Sequence, residues 1–205
     1  AWTAFLAGDP SEARSRVDTA LRKLPSDAGG HLLAGRLLVE DGRWNEAATA
    51  YSRVVELDPA DPSGYLGLGT VLGSSGRYAE ALDVFTTGLE RAPDSLELRY
   101  NRGLSLALMS EFDAAADEFR QVVDADPEVL PARENLAGVL AASGRFDEAV
   151  PVFEEAVLRS PTDPQLRIMA ARACLATDRR ARAEEHIEAA IDLDPSFEPA
   201  RRLLD

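Results

Sequence analysis

Few residues in this chain could do covalent or redox chemistry, and their spacing gives them nothing to share. The one cysteine, Cys174, excludes a disulfide within the chain. The two histidines, His31 and His186, stand near opposite ends, with no spacing that joins them on a metal. Carboxylate pairs such as Glu154 with Glu155 and Glu184 with Glu185 read as solvated helix surface rather than an acid and base pair. Gly67, Gly69 and Gly73 form a glycine-rich string, but no strand precedes them, as a phosphate-binding loop requires. The expectation is no catalytic residue, no metal site and no cofactor, with Cys174 a small core hydrophobe. What remains is binding chemistry. Asn101 and Asn135 are separated by an interval that recurs throughout the chain, and a carboxamide offers a donor and an acceptor, the complement of a peptide unit of any sequence.

The elements that must position those two amides repeat at the same interval. Sliding the sequence until Pro25 falls on Pro59 also brings Pro59, Pro93, Pro127 and Pro161 onto Pro93, Pro127, Pro161 and Pro195, without insertion or deletion. The same slide aligns Ala13, Ala47, Ala81, Ala115, Ala149 and Ala183, and the small residues Ala1, Gly35, Gly69, Gly103, Ala137 and Ala171. A fixed period of this size marks a solenoid, whose units bury their apolar faces only against neighbouring units.

Each unit reads as two antiparallel helices. In the unit starting at Pro62, Asp61 is a cap and Pro62 a proline at the first helical position. A first helix runs to about Ser75, and Gly76 takes the left-handed reversal. A second helix runs from Tyr78 to Arg91 and is ended by Pro93. Gly69 and Ala81 let the two backbones approach, while Leu68, Leu72, Phe85 and Leu89 fill the remaining space. Two turns depart from the pattern: Ser110 and Asp178 replace glycine, so those reversals should be strained or differently built. The unit from Pro164 is the most irregular, with Arg180 in an aromatic column and Cys174 in a leucine column.

Tyr65, Leu68, Gly69, Leu72, Ala81, Phe85 and Pro93 carry a close resemblance to the tetratricopeptide repeat. The resemblance spans a truncated unit over 1–27, full units over 28–61, 62–95, 96–129, 130–163 and 164–197, and a terminal fragment over 198–205. It implies an all-α fold, one right-handed α-solenoid over 1–205 in which the first helices line a concave groove and the second helices form the convex back. It also implies that Asn101 and Asn135 stand where groove asparagines of such repeats bond the backbone of an extended peptide. Around them Tyr100, Leu66, Thr70, Leu104, Ile168 and Leu175 are the candidate apolar and polar lining, with Arg172 for an acidic side chain. The clamp by which some relatives grip acidic chaperone tails is not expected, because Gln165 and Met169 stand where basic residues belong.

Charge separates the two faces. The formal net charge is −14, and arginine supplies all but one of the 22 basic residues. This excludes a general nucleic-acid binder. From Ala28 to Thr177, however, the first helices carry six arginines (Arg36, Arg99, Arg102, Arg133, Arg167, Arg172) against Glu40, Asp41, Glu97 and Glu134, a balance of +2. A near-neutral channel in an acidic body suits binding. Within it Arg99, Arg133, Arg167 and Arg201 form their own column, for which a structural role is favoured over ligand contact.

The function expected is a non-catalytic scaffold holding an extended segment of a protein or peptide partner. Two alternatives stay open: an assembly factor of a bacterial pilus or secretion envelope complex, and the repeat arm of a larger enzyme such as a glycosyltransferase. No apolar run is long enough to insert in a membrane. Both a cytoplasmic and a periplasmic location fit. Trp2 and Phe5 at one end, and Leu203 and Leu204 at the other, are candidates for self-association. The missing front of the first unit points to a longer parent chain.

Overall fold

A computed structural model describes residues 10–203. Of the residues named for self-association, Trp2, Phe5 and Leu204 lie outside the described residues, and Leu203 is half-buried. Among those described there are twelve helices and no strand. The helices fall into two compact units, one ending at Met109 and the other beginning at Ser110, so the boundary lies at the turn inside the 96–129 repeat.

The first unit contains α1 (Pro10–Lys23), α2 (Ala28–Glu40), α3 (Trp44–Leu57), α4 (Pro62–Ser74), α5 (Tyr78–Arg91) and α6 (Leu96–Leu108). The second contains α7 (Phe112–Ala125), α8 (Leu130–Ala142), α9 (Phe146–Arg159), α10 (Pro164–Ala176), α11 (Arg180–Leu193) and the short α12 (Glu198–Arg201). Within each unit every helix packs on the next, and alternate helices also touch: α2 with α4 and α4 with α6 in the first, α8 with α10 in the second. This is the packing of a helix-turn-helix repeat, in which a helix leans on its hairpin partner and on its counterpart one repeat away.

Local chemistry sets the ends. The Asp61 carboxylate accepts from the Ser63 amide at 2.8 Å, with Pro62 opening α4. Asp163 caps α10 in the same way through Gln165 and Leu166. Before three of the column prolines an aspartate turns the chain: Asp58, Asp126 and Asp194 accept from the amides two residues ahead. At the reversals Gly42, Gly76 and Gly144 take φ of 71, 76 and 79°. The following amide closes each turn, as Arg77 does on the Leu72 carbonyl at 3.0 Å. Asp178 makes the same turn as the glycines, with φ 58° and Arg179 bonding the Cys174 carbonyl at 2.8 Å. Ser110 likewise has φ 64°. Both therefore carry the strain of a side chain in the left-handed region, and Asp178 carries it without any change of turn design.

The hairpin crossings explain the small columns. A Cβ at Gly69 would stand 2.4 Å from the Phe85 ring, and one at Gly35 would stand 2.7 Å from Tyr51. Phe85 is buried with Tyr65, Leu72, Ala81, Leu89 and Leu98. In the second unit Phe119, Leu140 and Phe153 are buried with Ala115, Ala137 and Ala149, whose side chains have no exposed surface. Outside this core, paired charges repeat. Arg43, Arg77 and Arg145 each donate two bonds to the glutamate three residues on: Glu46, Glu80 and Glu148.

Two outcomes follow for stability. Gly69→Val costs roughly 1–3 kcal/mol by overpacking against Phe85, whereas Gly138→Ala, where an added Cβ meets nothing within 4 Å, gains roughly 0.5–1 kcal/mol from helix propensity; urea titration of both variants measures the contrast. The hydrogen bonds from Arg43, Arg77 and Arg145 hold the Glu46, Glu80 and Glu148 carboxyls below the usual value. Groups depressed in the folded state contribute stability that is complete above the unfolded pKa and lost as pH falls through the folded one. Melting temperature should accordingly fall on acidification below about pH 4, and less steeply in the variant with all three arginines changed to Gln.

Candidate functional site

In the first unit the register of the first helices of each repeat places Leu32 and Arg36 of α2 beside Leu66 and Thr70 of α4, their counterparts one repeat further along. These four, with Trp44 and Tyr51 of α3, line a cavity of about 370 Å³. Its walls are largely apolar: Leu66 is half-buried, Thr70 and Trp44 are exposed, and Tyr51 closes the floor beneath Gly67. Gly67 is required here, since a Cβ would stand 2.4 Å from the Tyr51 ring. The pocket is thus shaped by a glycine and an aromatic residue together.

The remaining expected lining residues are placed unequally. Tyr100 and Leu104 are half-buried on α6. Asn101 is half-buried, and its amide donates to the Glu97 carbonyl one turn back at 2.8 Å. That bond takes one of its two donor hydrogens. In the second unit Asn135 is half-buried, while Arg172 and Leu175 are exposed. Ile168 departs from expectation: it has no exposed surface and so has nothing to offer a ligand. Glu134, in the Leu66 column, is half-buried, and burial, then Asp163, lifts its carboxyl above the ordinary value.

Three of the four arginines in the column are accounted for by the backbone. The Arg99, Arg133 and Arg167 guanidiniums donate to the carbonyls of Pro93, Pro127 and Pro161, each six residues back, at 3.0, 2.7 and 2.9 Å. The earlier members of the same column do the same with different chemistry. The Tyr65 hydroxyl donates to Pro59 at 3.2 Å, and His31 Nε2 bonds Pro25 at 2.9 Å. Proline ends the second helix of each repeat, and the next helix reaches back to bond its carbonyl. Arg133 is 3% exposed and also meets Glu155 at 3.3 Å. Half of the arginines on the first helices therefore serve the fold rather than a ligand.

Models of the tetratricopeptide repeat match residues 35–76, 66–129, 109–164 and 140–204, so their spans run together from 35 to 204. The chain belongs to the tetratricopeptide repeat family. Solved structures superpose on it. YrrB, a TPR protein with an unusual peptide-binding site, gives a TM-score of 0.80 at 24% identity, covering 92% of this chain and 97% of its own. MamA AMB-1 gives 0.69 at 25% identity, covering 80% and 96%. MamA from Desulfovibrio magneticus RS-1 gives 0.76 at 20% identity, covering 83% and 97%. No curated protein gives a significant match. These likenesses establish the tetratricopeptide fold.

A second, larger depression of about 880 Å³ lies in the second unit among Asp147, Pro151, Glu154, Arg179 and Arg182. Its charges are matched internally, Arg179 to Asp147 and Arg182 to Glu154, both at 2.9 Å. Glu154 of this lining joins two residues that spacing along the chain did not connect with it: Glu154, Cys174 and His186 bring ligand-type atoms within 4.8 Å of one another. The available signal was departure from the repeat, since Cys174 stands in the column of Leu38, Leu72, Leu106 and Leu140, and His186 in the mostly apolar column of Ala50, Val84, Glu118 and Val152. No described helix is long and apolar enough to cross a membrane.

The proline-carbonyl bond is testable where its donor is neutral and buried. Tyr65→Phe keeps the ring, 4% exposed, and removes only the hydroxyl. The expected loss is roughly 0.5–1.5 kcal/mol of unfolding free energy in denaturant titration.

Proposed function

We propose that this tetratricopeptide chain is a non-catalytic interaction scaffold that binds an extended segment of a protein partner on the faces of its first helices. The observation that carries the reading is the cavity of about 370 Å³ in the first unit, lined by the repeat-register positions Leu32, Arg36, Leu66 and Thr70. Its chemistry suits an apolar side chain of a strand-like ligand: apolar walls, an indole at the mouth, and an arginine for a neighbouring carboxylate. A face so little charged within a chain of net charge −14 is a preferred place to desolvate.

Asn101 in the first unit and Asn135 in the second each present a carboxamide at the same repeat position. In this reading each amide bonds a ligand peptide group in the unit to which it belongs. Asn101 keeps one donor hydrogen and its carbonyl for that purpose while the bond to Glu97 fixes its rotamer. Tyr100 and Leu104 extend the first unit's lining, and Arg172 supplies a positive charge in the second. The likeness to YrrB, itself a TPR protein with a peptide-binding site, is in keeping with this reading.

Selection from a random peptide display library tests the proposal with Trp44 fluorescence as the readout, because the indole stands at the cavity mouth, 41% exposed. Selected peptides should share a spaced apolar anchor and change the Trp44 emission on titration. Leu66→Asp should weaken binding at least about ten-fold, about 1.4 kcal/mol, with the fold retained by circular dichroism, and Asn101→Ala should weaken it by a smaller factor. Recovery of no peptide that senses Leu66→Asp would overturn the assignment of this cavity.

A further inference from the structure

We propose that Glu154 of α9, Cys174 of α10 and His186 of α11 form a binding site for one zinc-class divalent cation in the second unit. A carboxylate oxygen, Sγ and an imidazole nitrogen lie within 4.8 Å of one another, each from a different helix. Sulfur with imidazole selects borderline metals over magnesium and calcium, which take oxygen ligands. Metal bonds of about 2.0–2.3 Å place tetrahedral donors roughly 3.3–3.8 Å apart, so side-chain rotations of about 1 Å close the triad on an ion.

The state of His186 is the independent observation. The residue is 7% exposed, and its Nε2 is buried without a hydrogen-bond partner. A buried ring nitrogen left unmatched in a helical core is costly, and a metal bond is one way to satisfy it. Burial, then Arg182, keeps the ring below its ordinary pKa and so neutral at neutral pH, with a lone pair to give. The carboxylate is held in place by a neighbour. Arg182 Nε donates to one Glu154 oxygen at 2.9 Å and so orients the carboxylate. A cavity of about 300 Å³, lined by Glu154, Arg167, Arg182, Glu185 and His186 among others, opens on two of the three ligands. It is an entry path with room for water as the fourth ligand, the open arrangement of a three-ligand zinc site.

Binding is an exchange at sulfur. Burial first, and Glu154 next, hold the Cys174 thiol above its ordinary pKa. The incoming ion takes the place of the thiol hydrogen, a sulfur–metal bond forms, and the proton leaves to solvent. Thiolate and carboxylate together then balance the charge of the ion. Two of the three ligands, Cys174 and His186, are departures from their repeat columns, which places the irregularity of the 164–197 repeat at one point in space.

Cobalt(II) is the probe, because its absorption reports both thiolate ligation and tetrahedral geometry. Titration of the full chain should saturate at one equivalent with a thiolate-to-cobalt charge-transfer band, and zinc should displace it. Cys174→Ala should abolish the band. Glu154→Gln and His186→Gln, with circular dichroism unchanged, should each weaken cobalt affinity by more than the roughly 10–100-fold typical of outer-shell losses. Absence of the charge-transfer band in the native protein overturns the proposal. So does unchanged affinity in Glu154→Gln, a variant at a half-buried carboxylate that leaves the helical core intact.

Discussion

Everything in either unit depends on how closely two helices of a hairpin can cross. Where Gly69 meets Phe85 there is no room for even a methyl group, and where Gly35 meets Tyr51 the margin is similar. The ring fills the place that a side chain on the opposite helix would take, so the core is built from one large and one small partner rather than two of medium size. This asymmetry fixes which face of each helix turns inward. It therefore fixes which residues of the first helices are left to face outward. The cavity beside Leu66 and Thr70 is a by-product of that geometry, floored by Tyr51 because Gly67 admits the ring.

Much of the fold was legible in the sequence because its determinants act within a few residues. Proline after the second helix, aspartate before it, a cap at Asp61 and glycine at Gly76 each set a helix end through a single local bond or dihedral angle. Such signals survive without knowledge of tertiary structure. At Asp178 the sequence left two outcomes, a strained turn or a different one, and the structure shows the strained one, because the flanking hydrogen bonds outweigh the preference of one side chain.

The site was less evenly legible. Leu66 and Thr70 were named from the family resemblance, and they line one cavity with their register counterparts Leu32 and Arg36. Ile168 occupies the register of Leu66 and is nevertheless core, because burial there is set by how far the neighbouring helices of the second unit cover it. Glu154, Cys174 and His186 were illegible for another reason. Ligand-spacing rules run along the chain, and this cluster forms across three helices that the hairpin geometry brings together.

The bond that five successive repeats make back to a proline carbonyl has a meaning for inheritance. Histidine, tyrosine and arginine all make it, over the same six-residue reach. Donor and acceptor therefore always travel in one segment of chain. A duplication or deletion of one whole repeat in register adds or removes both at once, and leaves no carbonyl stranded. Lengthening such a protein by whole repeats is then a step that natural variation can take without a simultaneous repair elsewhere, while an insertion between the proline and its donor separates the two groups. The even spacing of the six prolines is what a history of such steps leaves behind.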